Sequence, residues 1–186
     1  MKYQLRGTRK LMAELFIAFL LITLCHPDIT TSAETQMPED LKVPSDQSFM
    51  LEAQGIGVQI YKCMVNKNDS AKFEWVFQRP EADLLDNAGR MIGKHYAGPT
   101  WESRDGSQVL GEIVSSYNSP ESNSIPWLLL RAKKNIGTGD FSNIVSIQRI
   151  NTFGGKAPSE ECLKRQLDRE IRVPYKALYY FYTLRP

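Results

Sequence analysis

Histidine is scarce in this chain, which limits the chemistry it can perform. Only His26 and His95 occur among 186 residues, and His26 lies in the N-terminal leader described below. Transition-metal sites need several nitrogen or sulfur ligands, and this chain has too few histidines and cysteines to supply them. No loop has the spacing of a known calcium motif. No Gly-x-Ser-x-Gly motif occurs, so a serine triad would depend wholly on His95. We therefore expect no metal and no cofactor.

The chain also lacks an apolar run long enough to span a bilayer. Its one extended apolar stretch, 11–25, is interrupted by Glu14 and is shorter than the ~20 residues that a spanning helix needs. Basic residues precede it, and Thr31-Ser32-Ala33 supplies the small residues that signal peptidase recognises. This pattern predicts a signal peptide over 1–33, export to the periplasm or the extracellular space, and no membrane span after cleavage.

Lipid attachment at Cys25 is an alternative to plain cleavage. The cysteine closes the apolar run, as in a lipoprotein leader. The residue before it is the bulky Leu24, whereas lipoprotein processing requires a small residue there. Plain cleavage is the better interpretation.

Net charge is absent once the leader is removed. Four of the 23 basic and two of the 21 acidic residues lie in 1–33, which leaves 19 of each. Binding to a phosphate backbone requires a basic surface. Nucleic acid is therefore not expected as a partner.

Two cysteines, Cys63 and Cys162, remain after the leader. An even pair in an oxidising compartment indicates a disulfide. Two free buried thiols are the alternative.

Short runs of β-branched and aromatic residues, separated by turn formers, recur along 48–186, which we expect to form a single β-rich domain after a flexible lead-in at 34–47. The pattern predicts an all-β fold, an antiparallel β-sandwich or barrel of roughly ten short strands. One short helix is expected at 159–169, near the C-terminus. The predicted strands are 49–53, 57–64, 73–77, 81–86, 91–96, 100–103, 108–115, 127–130, 144–153 and 176–184.

The last predicted strand carries aromatic residues on both faces. Alternation places Tyr180 and Tyr182 on one side with Leu178, and Tyr179 and Phe181 on the other. A strand with two apolar faces is typical of the core rather than of a ligand-stacking surface.

Gly55-Ile-Gly57-Val-Gln-Ile60 begins like a dinucleotide-binding fingerprint but does not complete it. The last position requires Gly or Ala and is occupied by Ile60, and a strand follows where a helix is needed. We expect these glycines to form a turn or a bulge, and no nucleotide to bind.

Turn formers and potentially reactive side chains are densest in 91–107. The candidate ligand-binding residues are His95, Tyr96, Trp101, Glu102 and Asp105. As a site, His95 or Glu102 would act as acid or base and Trp101 as a platform for a sugar ring. As structure, His95 and Trp101 would be core residues and the two carboxylates solvated hairpin residues, which is the better interpretation of a lone histidine.

No complete catalytic constellation is present, so no catalytic residue is assigned. The main hypothesis is a non-catalytic binding or structural module of the cell envelope, with envelope glycan or another envelope protein as partner. The alternative is an extracellular hydrolase of glycan or a related polymer that uses Glu102 and His95.

Several motifs occur in order along 48–184 and resemble an uncharacterised family of secreted bacterial and fungal proteins, known as a domain of unknown function. They are Gly-Val-Gln-Ile-Tyr-Lys-Cys63, His95-Tyr-Ala-Gly-Pro-Thr-Trp-Glu102, Asp105-Gly-Ser107, Ile125-Pro-Trp-Leu-Leu and Thr152-Phe-Gly-Gly155. The resemblance implies export and a β-rich domain with a Cys63–Cys162 bridge, and it assigns no catalytic residue. Some fungal members carry a malate dehydrogenase label, which the incomplete dinucleotide fingerprint argues against for this chain.

Overall fold

Eight antiparallel strands, connected in sequence order, form one sheet that closes on itself. The structure is a computed structural model and describes residues 37–186. The predicted signal peptide and Cys25 lie outside this range. The strands are β1 (Gln47–Val65), β2 (Phe73–Leu85), β3 (Met91–Tyr96), β4 (Thr100–Ser103), β5 (Gln108–Tyr117), β6 (Trp127–Ile136), β7 (Ser146–Gly154) and β8 (Glu170–Leu184). The all-β prediction is confirmed.

Eight strands form instead of about ten because two pairs of predicted strands are continuous. The runs 49–53 and 57–64 are parts of β1, and 73–77 and 81–86 are joined in β2 through Pro80. Gly55 and Gly57 lie inside β1, and the strand continues through both of them. A Cβ at Gly55 would lie 2.4 Å from the Tyr179 ring, and one at Gly57 would lie 2.1 Å from the Glu81 carbonyl oxygen. These glycines therefore permit close approach, and the turn or bulge expected at this point is wrong, since the register shifts of β1 lie at Phe49/Leu51 and Ile60/Tyr61.

The sheet closes because β1 pairs with β2 along one edge and with β8 along the other, from Gln47 opposite Leu184 to Lys62 opposite Glu170. Alternate residues of each strand then point into the closed sheet. The interior cluster packs there, with Trp101, Phe141, Tyr179 and Phe181 each at most 1% exposed. Phe141 and Phe181 stack with ring centroids 4.7 Å apart. The two predicted faces of the last strand are observed, since Tyr179 and Phe181 lie inside.

The outward face of β6, β7 and β8 is also covered. Leu41, in a short 3-10 turn (Glu39–Leu41) within the predicted lead-in, is fully buried against Trp127, Leu129 and Ile150. The Gln148 side chain donates a hydrogen bond to the Leu41 carbonyl at 2.6 Å. Leu178 and Tyr180 pack against the same cluster, which explains why β8 is apolar on both faces.

The helix predicted at 159–169 is wrong. Only a 3-10 turn (Lys164–Gln166) forms in the loop between β7 and β8. Its apolar residues, Leu163 and Leu167, are 48% and 40% exposed, so a helix would have no core against which to bury a face. The loop is instead held to β1 by the Cys63–Cys162 disulfide. The predicted disulfide is confirmed.

No helix among residues 37–186 is long and apolar enough to cross a bilayer.

The disulfide closes a loop over a sequence separation of 99 residues, so removing it should destabilise the fold. Replacing both cysteines (Cys63→Ala with Cys162→Ala) should lower the free energy of unfolding by about 2–5 kcal/mol, because the unfolded chain gains conformational freedom. Urea unfolding monitored by tryptophan fluorescence measures the change. Reductant should shift the wild-type midpoint in the same direction and leave the variant unchanged. Equal stability of variant and wild type would contradict the prediction.

Candidate functional site

His95 and Trp101 face each other across β3 and β4 and point into the closed sheet. They are directly paired in the register, and their rings stack with centroids 4.4 Å apart and planes 13° from parallel. Trp101 is 1% exposed and His95 2%. Tyr179 packs beside both rings, with its ring centroid 5.3 Å from that of His95 and 5.6 Å from that of Trp101. Trp101, stacked on His95 and almost fully buried, is therefore not an exposed platform for a sugar ring on the outside of the sheet.

Burial sets the protonation of His95. Its Nδ1 lies 2.9 Å from the Thr100 carbonyl oxygen, which can only accept, so Nδ1 carries the proton. Desolvation lowers the pKa of His95 to about 3, the Thr100 hydrogen bond opposes this shift, and the positive charge of Arg149 adds to it. The imidazole is therefore neutral at physiological pH and is a very weak base.

Tyr96 and Glu102 lie on the opposite face of the same strand pair. The Tyr96 hydroxyl donates to Glu102 Oε2 at 2.7 Å, and the Gln108 amide donates to the same oxygen at 3.2 Å. The hydrogen bond to the carboxylate, with some desolvation, raises the pKa of Tyr96 to about 12. Because β-strand side chains alternate, Glu102 and His95 point to opposite faces and do not converge.

Asp105 is part of the turn between β4 and β5, and its side chain stabilises that turn and its contact with a neighbouring loop. Its carboxylate accepts hydrogen bonds from the Ser107 hydroxyl at 2.6 Å, the Ser107 amide at 2.8 Å and the Asp140 amide at 2.8 Å. The Ser107 hydroxyl, followed by the Asp140 amide, lowers the pKa of Asp105 to about 2. These bonds join the β4–β5 turn to the loop between β6 and β7.

The five candidate residues therefore occupy three separate places. His95 and Trp101 are inside, Tyr96 and Glu102 are outside, and Asp105 lies at the end of the closed sheet where β4 ends. Among residues 37–186, no group of three or more His, Cys, Asp or Glu side chains is placed to hold a metal ion.

A cavity of about 560 Å³ opens at the other end of the closed sheet, and His95 and Trp101 form part of its wall. Its rim includes Phe77 and Ile113, which are 48% and 60% exposed, so the cavity reaches solvent. The remaining wall is mainly apolar. The apolar and aromatic lining residues are Tyr61, Phe77, Pro80, Ala97, Pro99, Trp101, Ile113, Ile125, Pro126, Leu128 and Leu130.

Five polar residues of this cavity were not among the candidates from sequence, namely Gln59, Tyr61, Gln78, Ser116 and Arg149. Gln59 and Tyr61 lie on β1, and Arg149 lies on β7. Gln59 is 3% exposed, and Arg149 is half-buried. A signal was present in the sequence, since alternation aligns Gln59 with Tyr61 and aligns Arg149 with the core residue Ile147. A polar residue at a core-facing position indicates either a paired interior group or a site.

The match to a protein-family model extends over residues 44–183, and the model is that of DUF3455, described as a protein of unknown function. The chain belongs to the DUF3455 family. The resemblance found in the sequence motifs is thus confirmed. No curated protein and no solved structure was found to match the chain.

The DUF3455 match includes nearly the whole closed sheet, from just before β1 to within one residue of the end of β8. The segment His95-Tyr-Ala-Gly-Pro-Thr-Trp-Glu102, which carries much of the resemblance, forms the hairpin of β3 and β4. Five of its residues, His95, Ala97, Gly98, Pro99 and Trp101, form part of the cavity wall. In this DUF3455 domain the cavity, rather than the outer face of the hairpin, is the candidate site.

The lowered pKa of His95 should make the stability of this DUF3455 domain depend on pH. Between about 3 and the ordinary value of 6.5, the unfolded chain binds the proton and the folded protein does not. Stability should therefore fall as the pH falls below 6.5, by about 2 kcal/mol between pH 7.5 and pH 5. Urea unfolding between pH 7.5 and pH 5 measures this change in the free energy of unfolding.

The His95→Gln variant has no group that titrates at this position, so its stability should change less over the same interval. Comparing the two pH dependences separates the titration of His95 from the loss of its stacking on Trp101. Parallel pH dependences for the two proteins would show that His95 is not buried in neutral form.

Proposed function

We propose that this protein is an exported, non-catalytic binding protein that holds a small, largely apolar ligand in the cavity at the open end of its closed sheet. The observation that carries the proposal is the cavity itself. Its volume of about 560 Å³ falls within the range of small-molecule sites, roughly 300–1,000 Å³, and its wall is mainly apolar with a few polar groups. Closed sheets of eight strands are wide enough to hold one small ligand.

The rigidity of the wall supports a binding role. Tyr61 donates a hydrogen bond to the Gly155 carbonyl at 2.6 Å, and His95 is fixed by Thr100 and by its stack on Trp101. A wall whose side chains are already ordered loses little conformational entropy when a ligand binds.

A catalytic role has less support. The hydrolase hypothesis needs Glu102 and His95 in one cleft, and β4 directs Glu102 away from the interior. No Asp or Glu side chain is among the residues that form the cavity wall. A neutral imidazole with a pKa of about 3 is also poorly matched to proton transfer near neutral pH.

Export is supported by the basic and apolar pattern of 1–33 and by the Cys63–Cys162 disulfide, since disulfides persist in oxidising compartments.

The full chain, expressed in a bacterial host, should be recovered outside the cytoplasm with its N-terminus at Glu34. N-terminal sequencing and fractionation measure this. A mature chain that begins at a lipid-modified Cys25 would favour the lipoprotein alternative, and an unprocessed cytoplasmic chain would contradict export.

Ligand entry can be tested with N-phenyl-1-naphthylamine, a neutral probe that fluoresces strongly in apolar surroundings. It should bind the wild-type protein at one site and perturb the NMR signals of the His95 ring. Ile113→Asp places a charge at the rim and should weaken probe binding about fivefold, which corresponds to roughly 1 kcal/mol of lost apolar contact.

Val114→Asp is the matched control. Val114 is the next residue of β5 and is 57% exposed, but it does not form part of the cavity wall. Its substitution should leave probe affinity unchanged. Equal weakening by the two variants would place the probe elsewhere on the surface, and the absence of binding to the wild type would refute the proposed function.

A further inference from the structure

The cavity has one ionised side chain in its wall, that of Arg149. Arg149 lies in β7 opposite Leu128 of β6 and Tyr179 of β8, both of which belong to the interior cluster. Its guanidinium group donates from Nε and Nη2 to the Pro126 carbonyl oxygen, at 3.1 and 2.9 Å. That acceptor is neutral. Within residues 37–186, no carboxylate forms an ion pair with Arg149.

An arginine without a counter-ion is unusual in so apolar a setting, because an interior charge is costly when nothing compensates it. Arginines on the outer surface of the sheet, by contrast, have carboxylate partners. Arg79 pairs with Glu81 and Glu170, and Arg131 pairs with Glu112. The positive charge of Arg149 also affects the interior, where it adds to the lowering of the pKa of His95.

The neutral polar groups of the wall also favour a ligand that carries hydrogen-bond acceptors. Gln59 Nε2 and Trp101 Nε1 are buried N–H donors that have no acceptor among residues 37–186. Both residues form part of the cavity wall. His95 Nδ1 carries a proton and donates it to Thr100, so it cannot accept a hydrogen bond from either donor. The cavity wall therefore carries a positive charge, and two of its residues hold buried donors without an acceptor in the described part of the chain. A ligand that brings a negatively charged oxygen atom would complement the charge of Arg149.

The single positive charge in the cavity wall also limits the charge of the ligand. One guanidinium group can balance one negative charge, and a second charge would remain uncompensated beside Leu128, Leu130 and Trp101. The apolar wall and rim suit a hydrocarbon or aromatic body, which rules out a small, fully hydrated inorganic ion as the best ligand.

We propose that the ligand is a small organic monoanion with an apolar body, such as a carboxylate, whose charged group pairs with Arg149 while its body occupies the apolar part of the cavity. The inference rests on the proposed binding function. It adds the charge and the polarity of the ligand to that function.

Arg149 also has a structural contact, since its bonds to Pro126 connect β7 to the start of β6. A role limited to this tether predicts a change in stability when Arg149 is replaced. It predicts no change in the preference for charged over neutral ligands. The ratio of two affinities measured on one protein therefore separates the two roles.

The experiment is displacement of N-phenyl-1-naphthylamine from the full-length protein by octanoate, octyl sulfate and octanol, which share one hydrocarbon chain. The two anions should compete about tenfold or more better than the alcohol, the effect of one charge-assisted pair. In Arg149→Met the three competitors should become equivalent within about twofold, while the neutral probe still binds. Arg149→Lys should keep most of the preference, because the charge remains.

Arg131→Met is the matched control, because Arg131 is an exposed arginine of β6 outside the cavity wall. It should keep the wild-type ratio. If Arg149→Met does not fold, Gln59→Glu decides, since a carboxylate in the wall should reduce the affinity for octanoate and spare that for octanol.

Equal competition by octanoate and octanol in the wild type, or an unchanged ratio in Arg149→Met or Gln59→Glu, would overturn the proposal for an anion. In either case a bound probe would leave the proposed binding function standing. No probe binding to the wild type would remove both.

Discussion

Closure of the sheet by β1 and β8 is the constraint on which the remaining structure depends. Each of these strands would otherwise be an edge strand with a row of unpaired backbone groups, which favours aggregation. Pairing them over residues 47–62 and 170–184 removes both edges and turns one face of every strand inward. The inside and outside positions of all eight strands follow from that single closure.

The two ends of the closed sheet differ because their interiors are filled differently. At the end where β4 terminates, Phe141 stacks on Phe181, and Asp105 ties the adjoining turns together. At the other end a cavity remains beside the His95–Trp101 stack, with Arg149 in its wall. The segment 91–107 contributes to both ends, since it runs along the sheet in β3 and returns in β4.

Local patterning was sufficient for much of the fold. Met91–Tyr96 and Thr100–Ser103 are observed with the predicted bounds, because turn formers limit both strands closely. The prediction failed where a distant contact overrides the local pattern. Gly55 looked like a break, yet it is the point where the Tyr179 ring approaches β1. The 159–169 segment has a helical pattern, but its apolar residues find no core, and Cys162 binds it to β1.

Composition and alternation by themselves determined the all-β class, the cysteine pair and the apolar character of both faces of β8. They also identified 91–107 as unusual. Only the tertiary structure decided that His95 and Trp101 point inward while Glu102 points outward, and that Gln59 and Arg149 join them around one cavity. The reason is physical. Alternation assigns residues to two faces but does not say which face becomes the interior, and that choice depends on pairing between strands such as β1 and β8, which lie more than a hundred residues apart in sequence.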